Sequence, residues 1–403
     1  MINISLISHH APTLSSMLNT FIPKLGKTKI KNLPEVEQQQ KYCRTKQKNT
    51  TPTMEGAFNN IIKVYLSIFA SLSYCYFIAS NIAKGKFRLI SLLPVIVFFS
   101  IVPFFFSYLF PTAIASVFIS WSANFKLILF AFDNGPLAST SSLLQFISIA
   151  ILPIRINNIH PNSPPPAPKF PQISTLIWPI KVFLFAILVK IDDYKDRVDH
   201  KTVLVMYCFV VYLLVEIVFG IGNALVCAIL NMELDPPSDQ PYFSTSLQDF
   251  WGRRWNLMIT NLLRHTVYKP TRQCLGGVLG KWSPPVAVLA TFVVSGLMHE
   301  LLFYHVTRVT PTWEVTCFFL LHGICLVVEN DLKSKLRGKW KLHWLVSGPL
   351  TVGFVVVTAI WLFFPPVIRT NATGIAMDEC KVMLNYVTRL VKKIFLVLNY
   401  GVW

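Results

Sequence analysis

Apolar residues fall in long runs separated by short polar or basic breaks, and the runs approach the thickness of a bilayer. Nine of them read as helical: 58–82, 87–109, 112–132, 174–191, 203–230, 286–303, 313–329, 343–364 and 381–398. A helix rises 1.5 Å per residue, so about 20 apolar residues cover the roughly 30 Å hydrocarbon core. The pattern therefore predicts an all-α, polytopic transmembrane helical bundle of about eight or nine spans. Lys181 and Pro179 interrupt the fourth run, and the ninth is short and amphipathic enough to suit the interface.

Composition agrees with the pattern. Over 403 residues the chain is 53% hydrophobic, 13% aromatic and only 14% charged, with a mean hydropathy of +0.51. A net charge of +18 raises nucleic acid as a partner, but the basic residues sit between apolar runs. That arrangement suits a membrane surface and an anionic co-substrate, and no nucleic acid is expected. Lys84, Lys86 and Arg88 fill the first break; Arg253, Arg254, Arg264, Lys269, Arg272 and Lys281 fill 233–285; Lys333, Lys335, Arg337, Lys339 and Lys341 fill a late one. An even number of crossings separates the three, so all are expected on the cytoplasmic side. The same parity puts the acceptor pattern Asn371-Ala372-Thr373 on the lumenal side.

Residues 1–53 differ from the rest, being polar and Ser/Thr/Lys-rich, with Glu35 and Glu37 as their acids. They are expected to form a disordered basic extension ahead of a membrane-embedded domain, 54–403. The proline-rich stretch 161–171 reads as a semi-rigid polyproline II linker. Eight dispersed cysteines form no C-x-x-C pair, so neither a disulfide framework nor a metal site is expected. No internal repeat supports the inverted-repeat design of many transporters.

The chemistry concentrates between Ser246 and Glu300. Phe250-Trp251-Gly252-Arg253-Arg254-Trp255-Asn256 is followed some forty residues on by Ser295-Gly296-Leu297-Met298-His299-Glu300. An ionisable group at mid-membrane costs roughly 2.5–3.5 kcal/mol on insertion scales, so its presence points to a use. A zinc hydrolase would need H-E-x-x-H, but Phe303 occupies the second ligand position and His305 faces another way. Membrane desaturases need clustered histidines, and the nine here are scattered. The structural alternative is a lone intramembrane histidine bonded to a neighbouring helix. His265, His322 and His343 are expected in such structural roles.

These segments, with the earlier Ser120-Trp121-Ser122-Ala123-Asn124-Phe125-Lys126, resemble the membrane-bound O-acyltransferase superfamily, and within it the plant wax-ester synthases, the long-chain-alcohol O-fatty-acyltransferases. The resemblance extends from residue 54 to about 344, with a catalytic core of about 234–330. It implies transfer of a fatty acyl group from acyl-CoA to a long-chain fatty alcohol by a multi-pass protein of the endoplasmic reticulum membrane. It also implies His299 as the catalytic histidine, Asn256 as a second polar site residue (a simple cap or core bond being its structural alternative), and acyl-CoA as co-substrate with no further cofactor. A sterol or diacylglycerol acceptor is the near alternative. A non-catalytic multi-span transporter or scaffold is the alternative of a different class.

The residue chemistry is compatible with this activity. A neutral imidazole within hydrogen-bond reach takes the alcohol proton as attack proceeds, which is worth about 10²–10⁴-fold. No serine or cysteine is paired with His299 by a readable motif, which favours direct attack without an acyl-enzyme. Arg253 and Arg254 have the fork geometry for CoA phosphates. Trp251 and Trp255, at i and i+4, are expected to share one aromatic face for packing or substrate stacking. Glu300 is expected to support the site by a structural ion pair with a basic residue or by orienting a polar partner, and Ser295-Gly296 to permit close helix approach. The motif 250–256 and His299 should converge, and 257–285 should be helical.

Overall fold

The computed structural model describes residues 54–152, 171–230, 238–336 and 342–400. The expected extension 1–53 and residues 161–170 of the linker lie outside these. Among the described residues every regular element is helical, as a hydrocarbon surround requires: each backbone polar group must be satisfied within its own segment.

The first three crossings are α1 (Met54–Phe77), α2 (Lys86–Ile101) and the composite span Leu109–Ala131. That span consists of α3 (Leu109–Ala115), a π-helical stretch Ser116–Ala123, and α4 (Asn124–Ala131). Helix α5 (Leu143–Ile151) is too short to cross and packs Phe146 and Ile149 into the core of the first three. Lys126 is fully buried there, and its ammonium donates to the carbonyls of Ile149 at 2.7 Å and Leu152 at 2.8 Å. A cation at a helix C-terminus meets the negative end of the helix dipole, which offsets the cost of burying it.

Helices α6 (Pro171–Ile191) and α7 (His200–Leu230) follow. After 238 the chain makes short turns, including a π-helical turn Phe250–Arg254. It then forms α8 (Leu257–Leu263), a second π-turn Arg264–Tyr268, and α9 (Lys269–Leu279). The expectation of helices across 257–285 is met. The last crossings are α10 (Ser283–Thr307), α11 (Glu314–Leu336) and α12 (Trp344–Thr358), continued by a π-turn Ala359–Phe363. Two further helices, α13 (Pro365–Arg369) and α14 (Ala372–Tyr400), close the described chain.

Among the described residues seven runs are long and apolar enough to cross a membrane, the fifth being Leu257–Thr307, which ends in α10. The fourth and ninth expected spans are α6 and α14, both helical but not among the seven. Contacts place α6 alongside a crossing helix all the same. Trp178 fills the space a side chain at Gly220 would need, Lys181 pairs with Glu216 at 2.5 Å, and Asp192 accepts from the Tyr207 hydroxyl at 3.1 Å. As one number rises the other falls, so α6 runs antiparallel along α7 for about four turns. A charge that breaks the apolar run in sequence is thus neutralised across the helix pair.

Charged groups tie the loops together at one end of the bundle. Arg308 donates to the carbonyls of Pro103 and Phe106, and Arg369 pairs with Glu314. Glu379 accepts the N–H groups of Leu109 and Phe110 at 2.7 and 2.8 Å, and Lys381 pairs with Asp192 and Asp193. Asn371 belongs to this end, one helix length from the basic segments, which agrees with the expected parity. Arg88 needs a correction: it is no free loop charge. It is buried in α2 and donates to the carbonyls of Ser80, Ile82 and Phe130, which end two other helices.

Candidate active site

Helix α10 begins Ser283-Pro284-Pro285, where a missing N–H costs nothing because first-turn donors have no intrahelical partner. Thirteen residues after Ser283 comes Gly296, and there α10 meets α11 so closely that a Cβ would stand 2.9 Å from the Thr316 Cα. Small size at 296 sets this approach, as Ser295-Gly296 suggested. Glu300, one turn further along, is buried, and its Oε1 accepts the Thr316 N–H at 3.1 Å and the Thr316 hydroxyl at 3.4 Å. The carboxylate therefore sits on the N-terminal first turn of α11, where orphan donors and the positive dipole end favour an anion. Its partner is a helix end in place of the expected basic residue.

His299 lies between these two contacts. Its Nδ1 is 2.7 Å from the Ser295 carbonyl oxygen, which only accepts, so Nδ1 carries the proton. Nε2 is then left with its lone pair, and among the described residues nothing is hydrogen-bonded to it. Three rings wall the imidazole: Phe319 with centroids 4.4 Å apart, Trp121 at 5.0 Å and Phe363 at 5.8 Å. The side chain is half-buried. A neutral imidazole with an open acceptor nitrogen in an apolar box has the form of a general base.

The upstream motif reaches the same place through one ring. Trp251 packs on Phe319 at 5.7 Å, so Trp251 and His299 flank a common phenylalanine. The Trp251 indole N–H donates to His322 Nδ1 at 3.0 Å, which requires the His322 proton to be on Nε2. That nitrogen meets the Thr358 hydroxyl at 2.8 Å, and the hydroxyl donates to the Phe354 carbonyl at 2.7 Å. The chain from indole to carbonyl is fully satisfied and anchors the motif to α11 and α12. His322 bonds across helices, whereas His265 bonds the carbonyl four residues back and His343 caps the helix that follows it.

Two expectations about the motif change. Trp251 and Trp255 share no face, because the π-turn Phe250–Arg254 widens the helix and Trp255 is already extended. The partner of Trp255 is Phe250, five residues back, stacked at 5.7 Å and 9°. Arg254 is not an open phosphate fork. Its Nε donates to Asp249 at 2.8 Å and its NH1 to the Asp239 carbonyl at 3.1 Å, which braces the approach loop against the motif. Arg253 beside it is exposed, with no partner among the described residues. Asn256 adopts a left-handed conformation, φ 39°, and caps α8 through Oδ1 on the Ile259 N–H at 3.3 Å. Asparagine suits both demands, since it tolerates that region and caps well. Helix α8 buries Met258, Ile259 and Leu262 with Met298 and Trp121 in one apolar cluster, which seats Asn256's helix against α10.

Sequence reasoning did not single out Trp121, Phe319 or Phe363 as walls of the site. Trp121 stood within a quoted motif, whereas the two phenylalanines carried no signal in so aromatic a chain. Among the described residues no group of three or more His, Cys, Asp or Glu is placed to hold a metal ion.

Within a polytopic helical bundle a neutral, half-buried histidine opens into an aromatic box, and its open acceptor nitrogen can take a proton. Comparison with known proteins narrows the class. Residues 234–321 match the membrane bound O-acyl transferase family. The chain is 43% identical over 342 residues to "Probable long-chain-alcohol O-fatty-acyltransferase 1" of Arabidopsis thaliana, covering 82% of this chain and 98% of the relative. It is 40% identical to the "Long-chain-alcohol O-fatty-acyltransferase" of Simmondsia chinensis, over 83% of this chain and 96% of the relative. "Acyl-CoA--sterol O-acyltransferase 1" of Arabidopsis thaliana is 42% identical, over 79% and 94% respectively. The chain belongs to the membrane-bound O-acyltransferase family, in its plant long-chain-alcohol O-fatty-acyltransferase branch, and is a multi-pass membrane enzyme of the acyltransferase class.

Proposed function

We propose that the protein transfers a fatty acyl group from acyl-CoA to a long-chain fatty alcohol, with His299 as general base. The observation that carries this reading is the tautomer: Nδ1 is committed to the Ser295 carbonyl, and Nε2 is open to a substrate proton. In the reaction the alcohol O–H gives its proton to Nε2 as oxygen attacks the thioester carbonyl carbon. The C–O bond forms, the C–S bond breaks, and the imidazolium returns the proton to the departing CoA thiolate. No metal or further cofactor is required, because the thioester is already activated.

Asn256 keeps its amide NH₂ for the thioester carbonyl while Oδ1 holds the helix, and amide donors of this kind stabilise developing oxyanions. Exposed Arg253 is the guanidinium of the pair that serves the CoA phosphates, a role Arg254 cannot share while braced. Trp251 and Trp255 act on substrate only indirectly, as framework of the site. The catalytic core is placed at about 234–330 within the membrane domain, and the working location, by resemblance, is the endoplasmic reticulum membrane.

His299→Ala removes the base without adding charge or bulk. Ester formation from labelled acyl-CoA and hexadecanol, normalised to folded protein, should fall by about 10²–10⁴. Near wild-type turnover would overturn the reading. A sterol and a diacylglycerol belong in the same acceptor panel, because one relative of similar identity, 42%, is named for sterols. Preferential esterification of the sterol would replace the alcohol as acceptor and leave the role of His299 in place.

A further inference from the structure

Trp121 is 4% exposed, and its indole N–H is buried with no acceptor among the described residues. Buried polar groups are overwhelmingly hydrogen-bonded, so an unmatched donor asks for an explanation. The fold is not careless with indoles at this site: Trp251, on the other side of Phe319, has its N–H satisfied by His322. Trp121 also occupies a π-helical stretch, Ser116–Ala123, of a kind frequent at functional sites. Its ring packs against the His299 imidazole, centroids 5.0 Å apart and planes tilted by 55°.

The two neighbouring groups are complementary in what they lack. The indole nitrogen only donates, and His299 Nε2, with Nδ1 protonated, only accepts. A ligand carbonyl would satisfy the indole and leave the imidazole unmatched. A hydroxyl satisfies both through one atom, because its oxygen accepts while its hydrogen donates. The pairing needs the two rings to be neighbours, and they are, with centroids 5.0 Å apart.

We infer that Trp121 is the positioning donor for the acyl acceptor: its N–H holds the alcohol oxygen while the alcohol O–H points at His299 Nε2. This rests on the reading of His299 as base. The indole neither gains nor loses a proton. It fixes the oxygen that attacks the thioester carbon and stays bonded to that oxygen as it becomes the bridging atom of the ester. Its effect is orientation of the nucleophile, and the same donor selects oxygen over sulfur, since a thiol donates to the base but accepts only weakly.

Trp121→Phe keeps an aromatic ring and removes the donor. Hexadecanol and hexadecanethiol should be compared as acceptors with one acyl-CoA, by kcat/KM and by inhibition constant against labelled hexadecanol. The inhibition constant reports thiol binding whether or not the thiol is turned over. The expected result is a loss of about tenfold for the alcohol, equivalent to about 1.4 kcal/mol, with the thiol and the KM for acyl-CoA unchanged. The ratio of the two acceptors is independent of how much protein folds. Equal losses for both acceptors, or no loss for the alcohol, would overturn the inference. His299→Ala, measured alongside, separates the two claims. Activity retained there removes the base itself, whereas activity lost there with an unchanged alcohol-to-thiol ratio in Trp121→Phe removes only the positioning role.

Discussion

Replacing Glu300 by glutamine and by alanine separates two uses of a carboxylate that adjoins His299 in sequence. The structure gives Glu300 a helix-end role: it is 4% exposed, and Oε1 accepts from the N–H and hydroxyl of Thr316 in the first turn of α11. Alanine removes that acceptor. Loss of an N-terminal cap costs about 0.5–2 kcal/mol. A donor left unmatched away from water costs about 1–3 kcal/mol. The two figures describe one bond and do not add, so about 2 kcal/mol is expected. Glutamine keeps a carbonyl oxygen in place and loses only the interaction of charge with dipole, about 0.3–1 kcal/mol. Thermal unfolding of the purified protein in detergent should therefore rank wild type above Glu300→Gln and Glu300→Gln above Glu300→Ala. Turnover per folded molecule should stay within about threefold in both, because no transition-state contact is removed. The decisive result is Glu300→Gln: an unchanged melting point with turnover reduced about 10²-fold would make Glu300 part of the chemistry and refute the structural account.

Gly296→Ala should cost about 1–3 kcal/mol by overpacking, since its Cβ would meet the Thr316 Cα at 2.9 Å; an unshifted melting point would mean that α10 and α11 lie further apart. Arg253→Ala should raise the KM for acyl-CoA and spare the saturated rate, whereas Arg254→Ala should lower the folded yield and leave the KM alone; the opposite assignment would return phosphate binding to Arg254. Asp193 is held below the ordinary aspartate value of 3.8, first by its hydrogen bond from Lys381. A depressed folded-state value adds stability above 3.8 that is lost as pH falls through the folded-state value, so Lys381→Ala should lower the melting point at neutral pH and much less in strong acid. A decrement independent of pH would show that the pair does not hold α14 to α6.

Much of the bundle was legible because lipid permits so few solutions. An apolar run of bilayer length, punctuated by basic residues, has little choice but to be a helix. What escaped the pattern was mostly a matter of partners distant in sequence. Lys181 looked like a fault in the fourth run until Glu216 on α7 neutralised it at 2.5 Å. Arg88 looked like loop charge, but three carbonyls at the ends of neighbouring helices claim its guanidinium. Trp251 and Trp255 were assigned to one face by a 3.6-residue period that the local π-turn does not keep. In each case local spacing was read correctly and a contact from another helix, or a change of helical period, decided the outcome.

The site divides along the same line. Polar groups stand out in an apolar chain, so His299, Glu300 and the 250–256 motif are legible from the sequence. The rings around His299 do not stand out, since the chain holds 31 phenylalanines and 10 tryptophans. Yet two of the three walls, Trp121 and Phe363, come from outside 234–330. A fragment confined to that core would keep both motifs and the Ser295 bond that sets the imidazole tautomer. It would leave His299 flanked by Phe319 alone and open to lipid or water where the indole and Phe363 now stand. The imidazole tautomer would survive while the indole beside it was lost. The early span Leu109–Ala131 thus builds the surround of His299 as much as α10 does, because it carries the indole that stands beside the imidazole.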